Sequence, residues 1–169
     1  MRRLILFRHA KAESRAPGGG DIDRALTAKG ARDAAIMGGV LARADLAPDL
    51  ALVSSALRAL QTWDGARAFF PGATTQVRDG LFNATPEEVA AELEVGTAGA
   101  DTVIVVGHNP SLQELALNLA IDGDGAAADI EGLSARFATA TAAVFRVEPA
   151  GQATLEVLFH ARDHGGEGE

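Results

Sequence analysis

Three short runs of unbroken apolar residues, at 4–7, 50–53 and 103–106, constrain this chain most strongly. A run with no polar alternation, bounded by charged or turn residues, is what a strand buried on both faces requires. Between the runs lie segments with helix signals. Thr27 is placed to cap a helix reaching to about Ala44. Ser54-Ser55 is placed to cap a second helix, to about Phe70, with Leu57, Leu60, Trp63 and Phe70 as apolar anchors and Pro71-Gly72 as its stop. Thr85 precedes a helix that opens at Pro86 and ends near Val95. A further helix is expected from Pro110 to about Ala120, because proline is favoured at a first helical position.

Strand and helix signals therefore alternate through residue 120. The expected fold class is α/β, a three-layer sandwich whose mainly parallel central sheet carries helices on both faces. Residues 75–78 read as a weaker strand and 123–132 as a loop. Residues 142–147 and 153–159 read as two strands joined by a turn around Pro149-Ala150-Gly151. No linker or internal repeat interrupts the pattern. A single domain over 1–164 is expected, followed by a loose tail at 165–169.

Composition removes several chemistries. With no cysteine there is no disulfide, no thiolate nucleophile and no cysteine-based zinc site. The first apolar run is too short for a signal peptide, and no stretch approaches the roughly 18–20 apolar residues of a membrane span. A cytoplasmic protein with no membrane partner is the expectation. Net charge is −8, unevenly spread: residues 1–43 hold 9 Lys/Arg against 4 Asp/Glu. A basic head on an acidic chain argues against nucleic acid as a partner. It suits a local anion pocket, or equally ordinary scattered surface charge.

In parallel α/β sheets, ligands bind beyond the carboxyl ends of the strands. The first strand ends at Arg8-His9. The second ends at Ser54-Ser55, with Arg58 in the following turn. The third ends at Gly107-His108-Asn109. Taken singly, each has a plain structural reading: a loop pair, a solvated helix arginine, a capping or core histidine. Taken jointly, two arginines and two histidines converge on one sheet edge beside helix N-termini. That is the chemistry of a site for a phosphoryl dianion. His160 and His164, near the C-terminus, read as structural. A metal site of His160, Asp163 and His164 would need a helix that Gly165-Gly166 disfavours.

The blocks that carry this pattern also resemble a known family. They are Leu4-Ile5-Leu6-Phe7-Arg8-His9-Ala10-Lys11, Asp23-Arg24-Ala25-Leu26-Thr27-Ala28-Lys29-Gly30, Leu52-Val53-Ser54-Ser55-Ala56-Leu57-Arg58-Ala59-Leu60-Gln61-Thr62 and Val103-Ile104-Val105-Val106-Gly107-His108-Asn109-Pro110. In this order they resemble the histidine phosphatase superfamily, with its phosphoglycerate-mutase-like fold, and more narrowly the SixA-type phosphohistidine phosphatases. The resemblance covers residues 4–110, about two-thirds of the chain.

It implies that His9 is a nucleophile forming a covalent phosphohistidine. Arg8 and Arg58 would clamp phosphoryl oxygens, and His108 would bond the same oxygens. Arg24 and Asn109 would contact the substrate or its phosphate. No metal and no cofactor are required. The implied partner is a phosphohistidine-bearing signalling or phosphotransfer protein, met by a monomer with an open pocket. The alternatives are a small phosphorylated substrate and a non-catalytic phosphate-binding module. One element departs from the family. Asn83 stands where a general acid is expected, leaving Asp79, Glu13, Glu87 and Glu88 as candidates. An activated donor such as phosphohistidine needs no strong acid, because its leaving imidazole departs as a neutral group.

Overall fold

The computed structural model describes residues 1–97 and 99–168. Six strands form one sheet: β1 (Arg3–Arg8), β2 (Leu50–Ser54), β3 (Thr74–Arg78), β4 (Thr102–Gly107), β5 (Thr141–Val147) and β6 (Ala153–His160). Their order is β3-β2-β4-β1-β5-β6. The pairings β3-β2, β2-β4 and β4-β1 are parallel, whereas β5 and β6 join the far side antiparallel. Five helices cover the sheet: α1 (Ala28–Arg43), α2 (Leu57–Arg67), α3 (Pro86–Gly96), α4 (Ser111–Asp122) and α5 (Ala127–Ala135).

The apolar runs divide between two cores, as the period of two in a strand demands. Ile5, Phe7, Val53, Ile104 and Val106 face α1 and α2, where they meet Met37, Leu41 and Trp63. Leu4, Leu6, Leu52, Val103 and Val105 face the opposite layer, where Leu93, Leu112, Leu115 and Leu133 close over them. Ile5, Leu6, Phe7 and Ile104 are wholly buried. Each such side chain stabilises the fold by about 1.5–3 kcal/mol. Helices α1 and α2 cross closely because Gly38 lacks a side chain: a Cβ there would sit 2.7 Å from the Ala66 backbone.

Thr27 and Thr85 cap α1 and α3 as expected, each accepting a backbone N–H, from Gly30 and Glu88 respectively. Other boundaries differ from expectation. Ser54 stays in β2, and α2 starts at Leu57 behind Ala56. The helix stops at Arg67, and Phe70 packs from the following turn. Helix α4 begins at Ser111, with Pro110 just outside it. Part of the expected loop at 123–132 is helical: α5 forms on the alanine-rich stretch and buries Leu133.

The expectation of a loose tail is not met over 165–168. The backbone N–H groups of Glu167 and Gly168 donate to the two carboxylate oxygens of buried Asp33, at 3.0 and 3.1 Å. Glu169 lies outside the described residues. Among the described residues no helix is long and apolar enough to cross a membrane.

Candidate active site

Because β2, β4 and β1 are neighbours, their three carboxyl ends lie side by side. The His9 N–H donates to the Gly107 carbonyl at 2.9 Å, tying the segment after β1 to the end of β4. Arg8, His9, Arg24, Arg58, His108 and Asn109 then line one cavity of about 280 Å³, completed by Lys11, Ala12 and Thr139. All six residues picked from the sequence are brought together. Among the described residues that line this cavity none is a carboxylate.

His9 is 9% exposed, and its Nδ1 lies 2.7 Å from the Ala10 carbonyl oxygen. A carbonyl can only accept, so Nδ1 carries the proton and Nε2 keeps its lone pair. The Ala10 segment is itself fixed, since Ala10 N donates to Thr62 Oγ1 at 3.0 Å and that hydroxyl donates to the Arg58 carbonyl at 2.6 Å. Burial drives the His9 imidazole down to about 4. The Ala10 hydrogen bond opposes this, and the charges of Arg58, Arg8 and Arg24 add to it. The ring is therefore neutral at physiological pH.

His108 packs against His9 with ring centroids 5.1 Å apart. Its Nε2 lies 2.8 Å from Ser54 Oγ, which also accepts the Ala56 N–H at 3.4 Å. A hydroxyl that accepts from Ala56 is free to donate to Nε2. Its second lone pair can equally accept from Nε2–H, so the contact is satisfied in either tautomer, and Nδ1 is a buried nitrogen with no hydrogen-bond partner. Burial pushes His108 down to about 3, helped by His9 and Arg58. Phe82 stands edge-on to His108, with the Arg58 guanidinium carbon 5.8 Å from its ring centroid.

Arg8 donates through Nη1 to the Phe137 carbonyl at 2.7 Å. Asn109 Nδ2 donates to the same carbonyl and to Gln113 Oε1, at 3.0 and 3.1 Å. Asn109 thus lines the cavity while its amide group braces the carbonyl that holds Arg8 and ties to Gln113 on α4. Arg58 and Arg24 are held by Asp21.

Thr62, Asp21 and Phe137 carry no site signal of their own in the sequence, whereas Ser54 marks the polar end of the second strand. Ser54 and Thr62 do stand inside the block around Arg58, and Asp21 stands three residues before Arg24.

Of the candidate acids, none lines the cavity. Glu88 is spent on the Thr85 N–H as half of a capping box. Asn83 adopts a left-handed conformation at φ 56°, which asparagine tolerates better than most side chains. His160 ends β6 with Nδ1 2.9 Å from Thr141 Oγ1, and His164 lies on the following 3-10 turn against Phe159.

Fold and cavity together define an α/β protein with a cationic phosphoryl-sized pocket built around two neutral histidines. The comparisons agree. The sequence profile of the histidine phosphatase superfamily (branch 1) matches residues 4–84. The chain is 39% identical over 143 residues to an uncharacterized protein of Mycobacterium tuberculosis, a match spanning 83% of this chain and 87% of that one. Two solved structures superpose closely, both candidate phosphohistidine phosphatases named SixA. The one from Nakamurella multipartitia has a TM-score of 0.81 at 32% identity, covering 94% of this chain and 95% of that one. The one from Agrobacterium tumefaciens has a TM-score of 0.80 at 30% identity, covering 94% and 97%. The chain belongs to the histidine phosphatase superfamily, on its SixA-type branch. Family and neighbours support a phosphatase of the hydrolase class.

Proposed function

We propose that this protein hydrolyses phosphoryl groups through a covalent phosphohistidine on His9, and that its substrate is phosphohistidine on a signalling or phosphotransfer protein. The observation that carries the reading is the His9 tautomer. Nδ1–H is held by Ala10, so the lone pair of Nε2 belongs to a ring lining a cavity with three arginines.

In the first step Nε2 attacks phosphorus, the bond from phosphorus to the substrate nitrogen breaks, and its electron pair leaves on that nitrogen. Arg8 and Arg58 meet the charge that spreads over the equatorial oxygens, and the neutral His108 ring lies beside them to hydrogen-bond the same oxygens. In the second step water attacks phosphorus and the bond to Nε2 breaks. Inorganic phosphate leaves, and His9 returns neutral.

The substrate class is supported by what lines the pocket. An alkoxide leaving group wants a proton from an acid, and no carboxylate is among the described lining residues. A phosphohistidine protonated on its distal nitrogen leaves as neutral imidazole without one. No cofactor enters this scheme.

The test compares wild type with His9→Ala on a phosphohistidine-bearing phosphotransfer protein, an aryl phosphate and a sugar phosphate, with acid and base quenches. Wild type is expected to form an acid-labile, base-stable phosphoenzyme that the variant lacks, and to prefer the histidine substrate. A sugar phosphate turned over at a kcat/KM of about 10⁴ M⁻¹s⁻¹ or more would overturn the substrate class. No labelling and no turnover with any donor would overturn the catalytic reading and leave a phosphate-binding module.

A further inference from the structure

Asp21 heads a short 3-10 turn (Asp21–Asp23) in the glycine-rich loop that follows the nucleophile segment. The turn is pinned at both ends. Asp23 N donates to the Gly20 carbonyl at 3.1 Å, and Gly20 N donates to Asp23 Oδ2 at 2.9 Å. From this position Asp21 grips two of the cavity's three arginines. Arg58 Nη1 donates to the Asp21 carbonyl at 2.7 Å, and Arg58 Nη2 donates to Oδ2 at 3.0 Å. Arg24 Nε donates to Oδ1 at 2.8 Å, while Arg24 Nη1 is held by the Glu13 carbonyl at 2.9 Å.

A carboxylate on the phosphate-clamping arginines has two readings. It either competes with the phosphoryl group or aims the arginines at it. The geometry separates them. Asp21 is not among the residues that line the cavity. It lines the neighbouring outer depression with Ser14, Arg15 and Gly20, and Arg24 is common to both. It also takes the Nη end of Arg58. The Nε–H of Arg58 stays buried with no hydrogen-bond partner, on a side chain that is 5% exposed and lines the cavity. A guanidinium offers two forks: an end-on pair of Nη groups and a side pair that includes Nε. Asp21 occupies the first and leaves the second.

We propose that Asp21 is a positioning residue: from outside the cavity it fixes the end of Arg58 and one edge of Arg24, so that their remaining N–H groups are presented together to the phosphoryl group. This rests on the reading that the cavity takes a phosphoryl group. It adds a residue whose charge alone would argue against a role in binding an anion. It also makes the 3-10 turn part of the site, linked to α2 through Arg58.

The test uses Asp21→Asn, which keeps the backbone carbonyl and the side-chain shape. Inorganic phosphate binding is measured by calorimetry, and aryl phosphate hydrolysis by steady-state kinetics, with melting curves to verify folding. Removing a negative charge near an anion site should tighten phosphate binding if charge alone mattered. Positioning reverses the sign: phosphate is expected to bind at least threefold more weakly, and kcat/KM to fall about tenfold, the scale of one hydrogen bond to a charged group.

The same substitution on an Arg58→Ala background should cost threefold or less, because its main effector is gone. Phosphate binding unchanged or tighter in Asp21→Asn overturns the proposal. So does a tenfold penalty that persists in full without Arg58. If wild type shows no turnover but binds phosphate, the catalytic reading falls while the binding arm still decides on Asp21. If wild type binds no phosphate, both fall.

Discussion

Acidification tests the central physical claim, that both site histidines are held neutral far below their ordinary range. An exposed imidazole titrates near 6.5, whereas His9 is pushed down to about 4 and His108 to about 3. At about 1.4 kcal/mol per tenfold change, the His9 shift is about 3 kcal/mol in favour of the neutral ring. At about pH 5 an ordinary histidine would be roughly 3% neutral, while His9 would be roughly 90% neutral.

The assay is an imidazole nitrogen NMR titration from about pH 8 to about pH 3, with His9→Ala and His108→Ala for assignment. It reads tautomer and titration together. His9 is expected to show Nδ1 protonated and Nε2 bare, with its inflection near 4. Arg58→Gln should raise that inflection yet leave it below 6.5, because burial is the larger cause. An inflection between about 6 and 7, or a proton resident on Nε2, would refute the reasoning.

The same shifts set a stability slope. As pH falls from 6.5 towards 4, unfolded histidines bind protons that the folded rings refuse, so stability is lost with falling pH. Urea midpoints should drop through that window, and a His9→Gln/His108→Gln variant should flatten the drop.

Two further substitutions probe the scaffold. Thr62→Val removes the hydroxyl that receives Ala10 N–H and donates to the Arg58 carbonyl. Urea unfolding should show a loss of about 1–3 kcal/mol for the stranded buried N–H, with reduced turnover because the Ala10 carbonyl orients His9. Gly30→Ala would drive a methyl into the Lys11 carbonyl, the same group that accepts Thr27 N–H. Overpacking of this kind costs about 1–3 kcal/mol, and a melting temperature equal to wild type would contradict the close approach.

Much of the architecture is legible locally. The runs at 4–7, 50–53 and 103–106 have no polar alternate positions, so only a strand covered on both faces can hide them. The structure buries every one of them. Thr27 and Thr85 announce helix starts because a capping oxygen acts within three residues. Arg8, His9, Arg58 and His108 are visible because each ends a strand, directly follows one or opens the helix after it, whereas Arg24 is legible only through the family resemblance.

Interactions over long sequence separations follow no such periodicity. The order β3-β2-β4-β1 alone makes three separate strand ends adjacent. Phe137 offers a backbone carbonyl to Arg8 across 129 residues, and a backbone oxygen leaves no mark on residue identity. Ser54, expected as a helix cap, turns to His108 because β4 runs alongside β2. The end of the chain is held by Asp33, a buried carboxylate on a distant helix.

Residue identity therefore determined which groups bring phosphoryl chemistry to this protein. Tertiary structure decided the His9 tautomer, the burial of both rings and the orientation of the arginines, because hydrogen-bond partners and burial depend on which distant segments the fold packs together.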